Sequence, residues 1–290
     1  MEYTTLYTGA KMPLEGFGAM MFEPKDMGKA EETVYAAIKA GYRLIDTAAS
    51  YMNEDAVGRA VKRAIADGIT TREELFIVSK LWVQDMKSEA DAAKAIDTSL
   101  EKLGLDYIDL YLEHQAMGDY FASWRAMEKA HKSGKLRAIG VANFFPHVLV
   151  NFCETVEIKP AVNQIELSPF FAQEDALKTM KEYNIVPMAW SPLAEGKHGI
   201  FTDKELSAIG AKYGKTAAQV ALRWNTQRGV VIIPKSSNPD RMKQNLDIWD
   251  FSLTADEMAA VAKKDLGHSE IINHFDPSIV KMILGMKIHE

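Results

Sequence analysis

Short, nearly unbroken apolar runs recur along the chain: Tyr42–Asp46, Leu75–Leu81, Tyr107–Leu112, Leu136–Val141, Ala161–Ile165, Ile185–Trp190 and Val230–Pro234. Many of their residues are β-branched or aromatic, and little polar alternation interrupts them, as in strands covered on both faces. The stretches between them carry helical periodicity. Val57, Ala60, Val61, Ala64 and Ile65 make one apolar stripe, and Ala93, Ile96, Leu100 and Leu103 make the next, with Gly104 placed as a C-terminal stop. Glu15–Met20 supplies a first strand and completes eight strand-helix units. Strict alternation of this kind predicts a parallel sheet with right-handed crossovers, and eight units can close it into a barrel. Upstream, Tyr3–Tyr7 and Lys11–Leu14 flank Thr8-Gly9-Ala10, which predicts a small β-hairpin. An open doubly wound sheet competes with this architecture. It calls for G-x-G-x-x-G after the first strand, whereas Gly16-Phe17-Gly18 runs on into Ala19-Met20-Met21. The expected fold is therefore α/β, a (β/α)8 TIM barrel with an N-terminal β-hairpin. No Pro/Gly/Ser linker divides it, so residues 1–290 are expected to form one barrel domain.

Composition narrows the setting. A chain of 290 residues, 47% hydrophobic and 26% charged, is long enough to bury a core without covalent staples. The single cysteine, Cys153, allows no intrachain disulfide and fits a reducing compartment. It lies beside Phe152 in an amphipathic stretch, as a packed thiol would. A net charge of −6, with lysines and arginines interleaved among acids, argues against a nucleic-acid partner. Met1–Leu14 lacks the basic-then-apolar pattern of a signal peptide, and no segment approaches the roughly 20 apolar residues of a membrane span. These features predict a cytoplasmic protein with no membrane partner, and a monomer, since no long exposed apolar helix asks for a second copy. The scattered histidines, among them His131, His147 and His198, have no metal-ligand spacing, so no metal is expected.

In a barrel of this type the active site is assembled at the C-terminal ends of the strands. Asp46, Lys80 and His114 each end an apolar run there, and Tyr51 follows shortly after the first. Taken singly, each has an ordinary reading: Asp46 as a helix cap, Lys80 and His114 as solvated loop residues. Three such groups on successive strands are harder to explain that way, because a charge inside a closed mouth is costly unless paired.

The surrounding motifs carry a resemblance. Asp46-Thr47-Ala48-x-x-Tyr51 is followed by Asn53-Glu54-x-x-Val57-Gly58, Ser79-Lys80-Leu81-Trp82 and Asp109-Leu110-Tyr111-Leu112-x-His114. Gly140-Val141-x-Asn143-Phe144, Asn163-Gln164-Ile165-Glu166, Ser191-Pro192-Leu193 and Ile233-Pro234-Lys235-Ser236 continue the series. In order and spacing, over essentially the whole chain, it resembles the aldo-keto reductase family, notably microbial-type members such as the diketogluconate and methylglyoxal reductases. The resemblance implies a catalytic tetrad of Tyr51, Asp46, Lys80 and His114, with NADPH as cofactor. Carbonyl reduction needs a hydride at carbon and a proton at oxygen. A phenol can give that proton if its pKa, ordinarily near 10, is lowered. Lys80 is expected to acidify Tyr51, Asp46 to orient Lys80, and His114 to orient and polarise the carbonyl.

The same resemblance assigns Asn143 and Gln164 to the nicotinamide carboxamide, Trp190 to a stacking position, and Ser191 and Leu193 to the pyrophosphate. Lys235, Ser236, Arg241 and Asn245 match an adenosine 2′-phosphate site, where cations beside a helix start suit a phosphomonoester. The ordinary alternative there is a surface turn with a capping serine. Ala142, where many members carry Ser, forgoes one carboxamide hydrogen bond, about 1 kcal/mol. Gln244 stands where Glu often contacts the adenosine. Glu113 is expected to point away from the barrel interior, with no catalytic role, if His114 points in.

Trp82 and Phe22, with His114, are the expected substrate contacts. Residues 194–199 are expected to fold over the dinucleotide, and the tail carrying His274, Phe275 and Asp276 to close one side of the pocket. Gly196-Lys197 lacks the rest of a P-loop, so a nucleoside triphosphatase is excluded. The expected substrate is a small-molecule carbonyl: a small aldehyde, an α-oxo-aldehyde or a keto-sugar. Two other readings remain open. One is an NADP(H)-binding regulatory subunit with little turnover, and the other is a barrel enzyme acting on phosphorylated sugars.

Overall fold

Strand alternation decides what faces the inside of this molecule. The structure, a computed structural model, describes residues 1–20 and 26–290. Phe22 lies outside the described residues. Strands β1 (Tyr3–Thr5) and β2 (Lys11–Pro13) form the antiparallel hairpin. The barrel strands follow as β3 (Gly16–Gly18), β4 (Leu44–Asp46), β5 (Phe76–Leu81), β6 (Leu110–Glu113), β7 (Ile139–Ala142), β8 (Val162–Glu166), β9 (Val186–Trp190) and β10 (Val231–Ile232). These eight are paired in chain order, all parallel. A parallel bridge between Glu15 and Ile232, with Ile232 N–H donating to Leu14 O at 2.9 Å, closes the ring.

Each predicted apolar run overlaps its strand, but β6, β7 and β8 extend one residue beyond the run, to Glu113, Ala142 and Glu166, and most strands start later than the run does. Tyr42, Leu75, Leu136, Ala161 and Val230 are buried just upstream of the paired segments. Along β5, Phe76 and Val78 pack inside the barrel while Ile77 packs outside against helices. On β6, Leu110 and Leu112 face in and Tyr111 faces out. Leu6, Met12 and Leu14 of the hairpin region join the interior cluster, so the hairpin plugs the N-terminal end.

The outer layer contains α1 (Met27–Ala40), α2 (Glu54–Ala66), α3 (Glu89–Leu103), α4 (Tyr120–Lys132), α5 (Pro146–Cys153) and α6 (Glu174–Glu182). Both α7 (Lys204–Tyr213) and α8 (Ala217–Gln227) lie between β9 and β10, and α9 (Pro239–Leu246), α10 (Ala255–Ala262) and α11 (Pro277–Gly285) follow. Cys153 is buried at the end of α5, and burial pushes its thiol up to about 11. Among the described residues, no helix is long and apolar enough to cross a membrane.

Two helical stripes differ from expectation. On α2, Ile65 is exposed, and the buried face turns instead through Glu54, Ala56 and Gly58. On α3 the buried residues are Ala92, Ile96, Ser99 and Leu103, with Ala93 exposed and Leu100 only half-buried. The reason is polar pairing across the outer layer. Ser99 Oγ meets Tyr111 Oη at 3.1 Å, and Ser79 Oγ donates to Glu54 Oε1 at 2.5 Å. These satisfied polar groups sit where a purely hydrophobic stripe would place aliphatics. Gly104 caps α3 at φ 63°, the left-handed position read for it.

Gly58 marks the closest approach of α2 to α3. A Cβ there would lie 2.3 Å from the carbonyl oxygen of Leu103, a backbone atom that cannot swing aside. Gly28, on α1, has no atom of the described residues within 4 Å of such a Cβ. Gly58→Ala is therefore expected to lower stability by about 1–3 kcal/mol despite alanine's better helix propensity. Gly28→Ala is expected to be neutral or to raise it by up to about 1 kcal/mol. Thermal and urea unfolding of the two variants beside the parent check both signs. Equal midpoints would show that the α2–α3 contact yields freely.

Candidate active site

The alternation that buries Leu44, Val78, Leu112 and Val162 inside the barrel also turns the next in-facing residue of each strand into the mouth. Those residues are Asp46, Lys80, His114 and Gln164. A polar layer thus caps an apolar core, and every member is buried or nearly so. Lys80 Nζ sits at the centre, donating to Asp46 Oδ1 at 2.6 Å, to Thr47 O at 2.9 Å and to Tyr51 Oη at 3.3 Å. The second Asp46 oxygen accepts from Gln164 Nε2 at 2.8 Å. The exposure of the ion-paired side chains is 0% for Lys80 and 2% for Asp46. Asp46 caps no helix, since Ala48 precedes the one-turn helix Ala49–Tyr51 and Asn53 precedes α2.

The charges respond to this burial. Desolvation pulls the Lys80 ammonium down, yet Asp46 and Tyr51 outweigh it and leave the group above its ordinary value. Tyr51 differs from expectation. Burial pushes its phenol above 10, Lys80 pulls it back only part of the way, and Asp46 adds to the rise. His114 is held well below the usual imidazole range, first by burial and then by the Lys80 charge, so its ring is neutral. Its ring meets Tyr51 and Trp82 edge to face, with centroids 5.7 and 5.2 Å apart.

Further contacts tie the neighbouring strands to this cluster. Asn143, at φ 61° just after β7, donates from Nδ2 to His114 O at 3.0 Å and accepts Trp190 Nε1 at 2.9 Å. Gln164, Asn143 and Trp190 therefore stand around Asp46, Lys80 and His114. One end of the Gln164 amide and the oxygen of the Asn143 amide are already engaged. Ala142 is buried with no polar group to offer. Glu113 points outward, as alternation requires, and accepts Ser123 Oγ of α4 at 2.6 Å.

Past β9 the backbone is unusual. Ser191, Ala194, Glu195 and His198 all adopt positive φ, between 48° and 57°. Four non-glycine residues in this region so close together mark a segment held in shape by its surroundings. The residues after Leu193 are clasped by the C-terminal segment. Lys197 Nζ donates to Glu270 O, and His198 Nε2 pairs with Glu270 Oε2 at 2.5 Å. Beneath them Glu166, raised to about 7 by burial, accepts Ser269 Oγ.

After β10, Lys235 and Arg241 are exposed and Ser236 is buried. Asn238 caps α9 with its side chain, accepting from Asp240 and Arg241 N–H. Lys235 is held below its ordinary value by partial burial and by the nearby Lys29 charge. Gly18 and β10 approach so closely that a Cβ at Gly18 would lie 2.8 Å from Ile233 O. Gathered cations, a helix N-terminus and close-set backbone fit the phosphates of a dinucleotide. Asn245 is buried on α9, and the helix is tied to the barrel nearby by Tyr42 Oη, which donates to Met242 O at 3.1 Å. Gln244 is exposed.

The tail closes the mouth from the far side. Trp82 Nε1 donates to Met286 O at 2.9 Å, and His274 Nε2 meets Gln115 Oε1 at 3.0 Å. Phe145 stacks against His274 and Phe275, at 5.6 and 4.7 Å. Asp276 is engaged as the N-cap of α11. Gln115, Phe145, Glu166 and Ser50, all at the mouth, were not singled out by the sequence. Each lies within or next to a quoted motif (Ser50 before Tyr51, Gln115 after His114, Phe145 after Phe144, and Glu166 at the end of its own), but none was given a role.

The chain is similar to proteins of known type along nearly its full length. The model of the aldo/keto reductase family matches residues 16–266. A glyoxal reductase of Bacillus subtilis is 46% identical over 254 residues, 87% of this chain and 89% of that protein. A methylglyoxal reductase of Escherichia coli is 41% identical over 265 residues, 90% of this chain and 93% of that one. Among solved structures, a Bombyx mori aldo-keto reductase in complex with NADP superposes with a TM-score of 0.89 at 37% identity, covering 94% of this chain and 95% of that one. The chain belongs to the aldo/keto reductase family.

Proposed function

We propose that this protein is an NADPH-dependent reductase of small α-oxo-aldehydes, with Tyr51 as the proton donor. The observation that carries the reading is the buried chain Asp46–Lys80–Tyr51, at 2.6 and 3.3 Å, beside a neutral His114. The glyoxal and methylglyoxal reductases among its relatives support the substrate class.

Reduction adds a hydride to the carbonyl carbon and a proton to its oxygen. Bound NADPH supplies the hydride. Burial keeps the Tyr51 phenol protonated until it is used, and the Lys80 charge stabilises the phenolate as the proton leaves Oη. Asp46 holds the Lys80 ammonium charged and aimed. His114, neutral, donates a hydrogen bond to the carbonyl oxygen as negative charge gathers there. On the cofactor side, Gln164 Oε1 and the second N–H of Asn143 Nδ2, whose first is given to His114 O, would meet the nicotinamide carboxamide, with Trp190 beside the ring. Ser191 and Leu193 would meet the pyrophosphate of NADPH, and Lys235, Ser236 and Arg241 would hold its 2′-phosphate. Asn245, buried on α9, backs this phosphate site from the interior. Trp82, pinned to the tail through Met286, and His114 wall the substrate and keep water out. The buried Cys153 thiol suits a cytoplasmic setting, and the site is complete within one chain, as in a monomer.

Two outcomes test the reading. In an assay of NADPH oxidation at 340 nm over aldehydes, α-dicarbonyls and keto-sugars, Tyr51→Phe is expected to lose at least about 100-fold in kcat, the usual worth of a positioned acid. NADPH binding, followed by fluorescence titration, is expected to stay close to the parent's. An active Tyr51→Phe protein, or a parent that binds NADPH and turns over none of the panel, would remove the proton-donor assignment or the substrate class.

Lys235 and Arg241 are expected to set the choice of cofactor. Replacing both with Ala should raise KM for NADPH roughly 10- to 100-fold, the worth of one or two charge-assisted hydrogen bonds, and leave KM for NADH nearly unchanged. Equal kcat/KM with the two cofactors in the parent would exclude a 2′-phosphate site here.

A further inference from the structure

Ser50 lies in the one-turn helix Ala49–Tyr51, immediately before Tyr51, and its hydroxyl oxygen is 3.2 Å from His114 Nδ1. Among the described residues no other hydrogen bond engages this hydroxyl, and none engages His114 Nε2. The ring itself is fixed by other means. His114 N–H donates to Leu81 O at 3.0 Å, His114 O accepts from Asn143, and the Tyr51 and Trp82 rings flank the imidazole. What these contacts leave undetermined is which ring nitrogen carries the proton.

A neutral imidazole has one donor and one acceptor nitrogen, and a hydroxyl can play either part. If Ser50 accepted from Nδ1–H, Nε2 would present a lone pair to the carbonyl oxygen and repel it. If Ser50 donates, Nε2 carries the hydrogen. The second arrangement is also the chemically stronger one. An sp2 ring nitrogen is a better acceptor than an alcohol oxygen, a hydroxyl is a competent donor to it, and free neutral imidazole side chains already favour the Nε2–H form. An aliphatic side chain at position 50 would leave that choice to the intrinsic preference alone.

We propose that Ser50 is a positioning residue that donates to His114 Nδ1 and so locks His114 as the Nε2–H tautomer, the form able to donate to a carbonyl oxygen. The tautomer is argued from the Ser50–His114 contact and the acceptor strength of the ring nitrogen, while its consequence for turnover rests on the carbonyl-reductase reading. The two parts are separable by experiment.

Ring 15N-labelled histidine and long-range 15N–1H correlation spectra report the protonation of each nitrogen directly. His114→Gln identifies the His114 signals by their loss. The parent is expected to show His114 with a protonated Nε2 and an unprotonated Nδ1 shifted by an accepted hydrogen bond. Ser50→Ala is expected to lose that shift and admit the Nδ1–H form. Its kcat with an α-oxo-aldehyde should fall about five- to tenfold, the effect of one hydrogen bond, with KM for NADPH unmoved. Ser50→Thr keeps the hydroxyl and should restore both the spectrum and kcat, which separates proton placement from loss of fold. A parent with Nδ1–H would overturn the proposal, as would a Ser50→Ala protein with the parent's tautomer and kcat. If no carbonyl is turned over but the Ser50-dependent tautomer is seen, the proton placement stands and the substrate reading alone fails.

Discussion

Everything at the mouth of this barrel is arranged around one buried ion pair. Lys80 and Asp46 have left water almost completely, at 0% and 2% exposure, and a lone buried charge of that kind would cost several kcal/mol. The pair is kept because every polar atom has a partner. The ammonium has three acceptors, and the carboxylate has Lys80 on one oxygen and Gln164 on the other. Such a pair adds little net stability compared with an apolar pair of similar size. Its value lies in fixing a charge 3.3 Å from Tyr51 Oη without letting water in.

That constraint reaches down into the barrel. In-facing side chains recur every second residue, so Lys80 can meet Asp46 only if Val78 and Leu44 also face in. The observed register, with Leu44 opposite Phe76 and Asp46 opposite Val78, satisfies this. A slip of one residue on β5 would bring Ser79 to the mouth and carry Lys80 out among the helices, where Glu54 now receives the serine. Packing and chemistry therefore select the same register. The outward carboxylates Glu54 and Glu113 show the other solution for a buried acid. With the Ser123 hydroxyl as its partner and, among the described residues, no cation paired with it, Glu113 is pushed well above its ordinary value by burial.

The legible parts of the sequence were those governed by period and by residue chemistry. The runs of Val, Ile and Leu marked the strands, and the identity of the group ending each run marked the mouth. Legibility failed where a polar residue is buried by a partner distant in sequence. Ser99 reads as a surface position until Tyr111 is seen against it; of the predicted α3 stripe Ile96 and Leu103 are buried, while Ala92 and Ser99 take the places read for Ala93 and Leu100. Ser50 failed for the same reason, because a serine before a tyrosine in a loop signals nothing until its distance to His114 is known. Tyr51 shows a different limit. The sign of each neighbour's effect was readable, but the balance between Lys80 and burial depends on depth, which periodicity does not measure.

A phenol raised rather than lowered in the resting site changes how the cluster is understood. If Lys80 acidified Tyr51 fully beforehand, the site would hold a phenolate, which has no proton to give. Burial prevents that, since it penalises the anion as long as nothing else changes. The Lys80 charge matters most during proton transfer, when negative charge is divided between Oη and the substrate oxygen and both lie in a dry, low-dielectric mouth. Neutral His114 meets the same requirement from the other side. It can donate to that oxygen without bringing a second cation close to Lys80, whose charge already disfavours a protonated ring. The closed tail over Trp82 and the clasped segment after β9 preserve the dryness on which both effects depend.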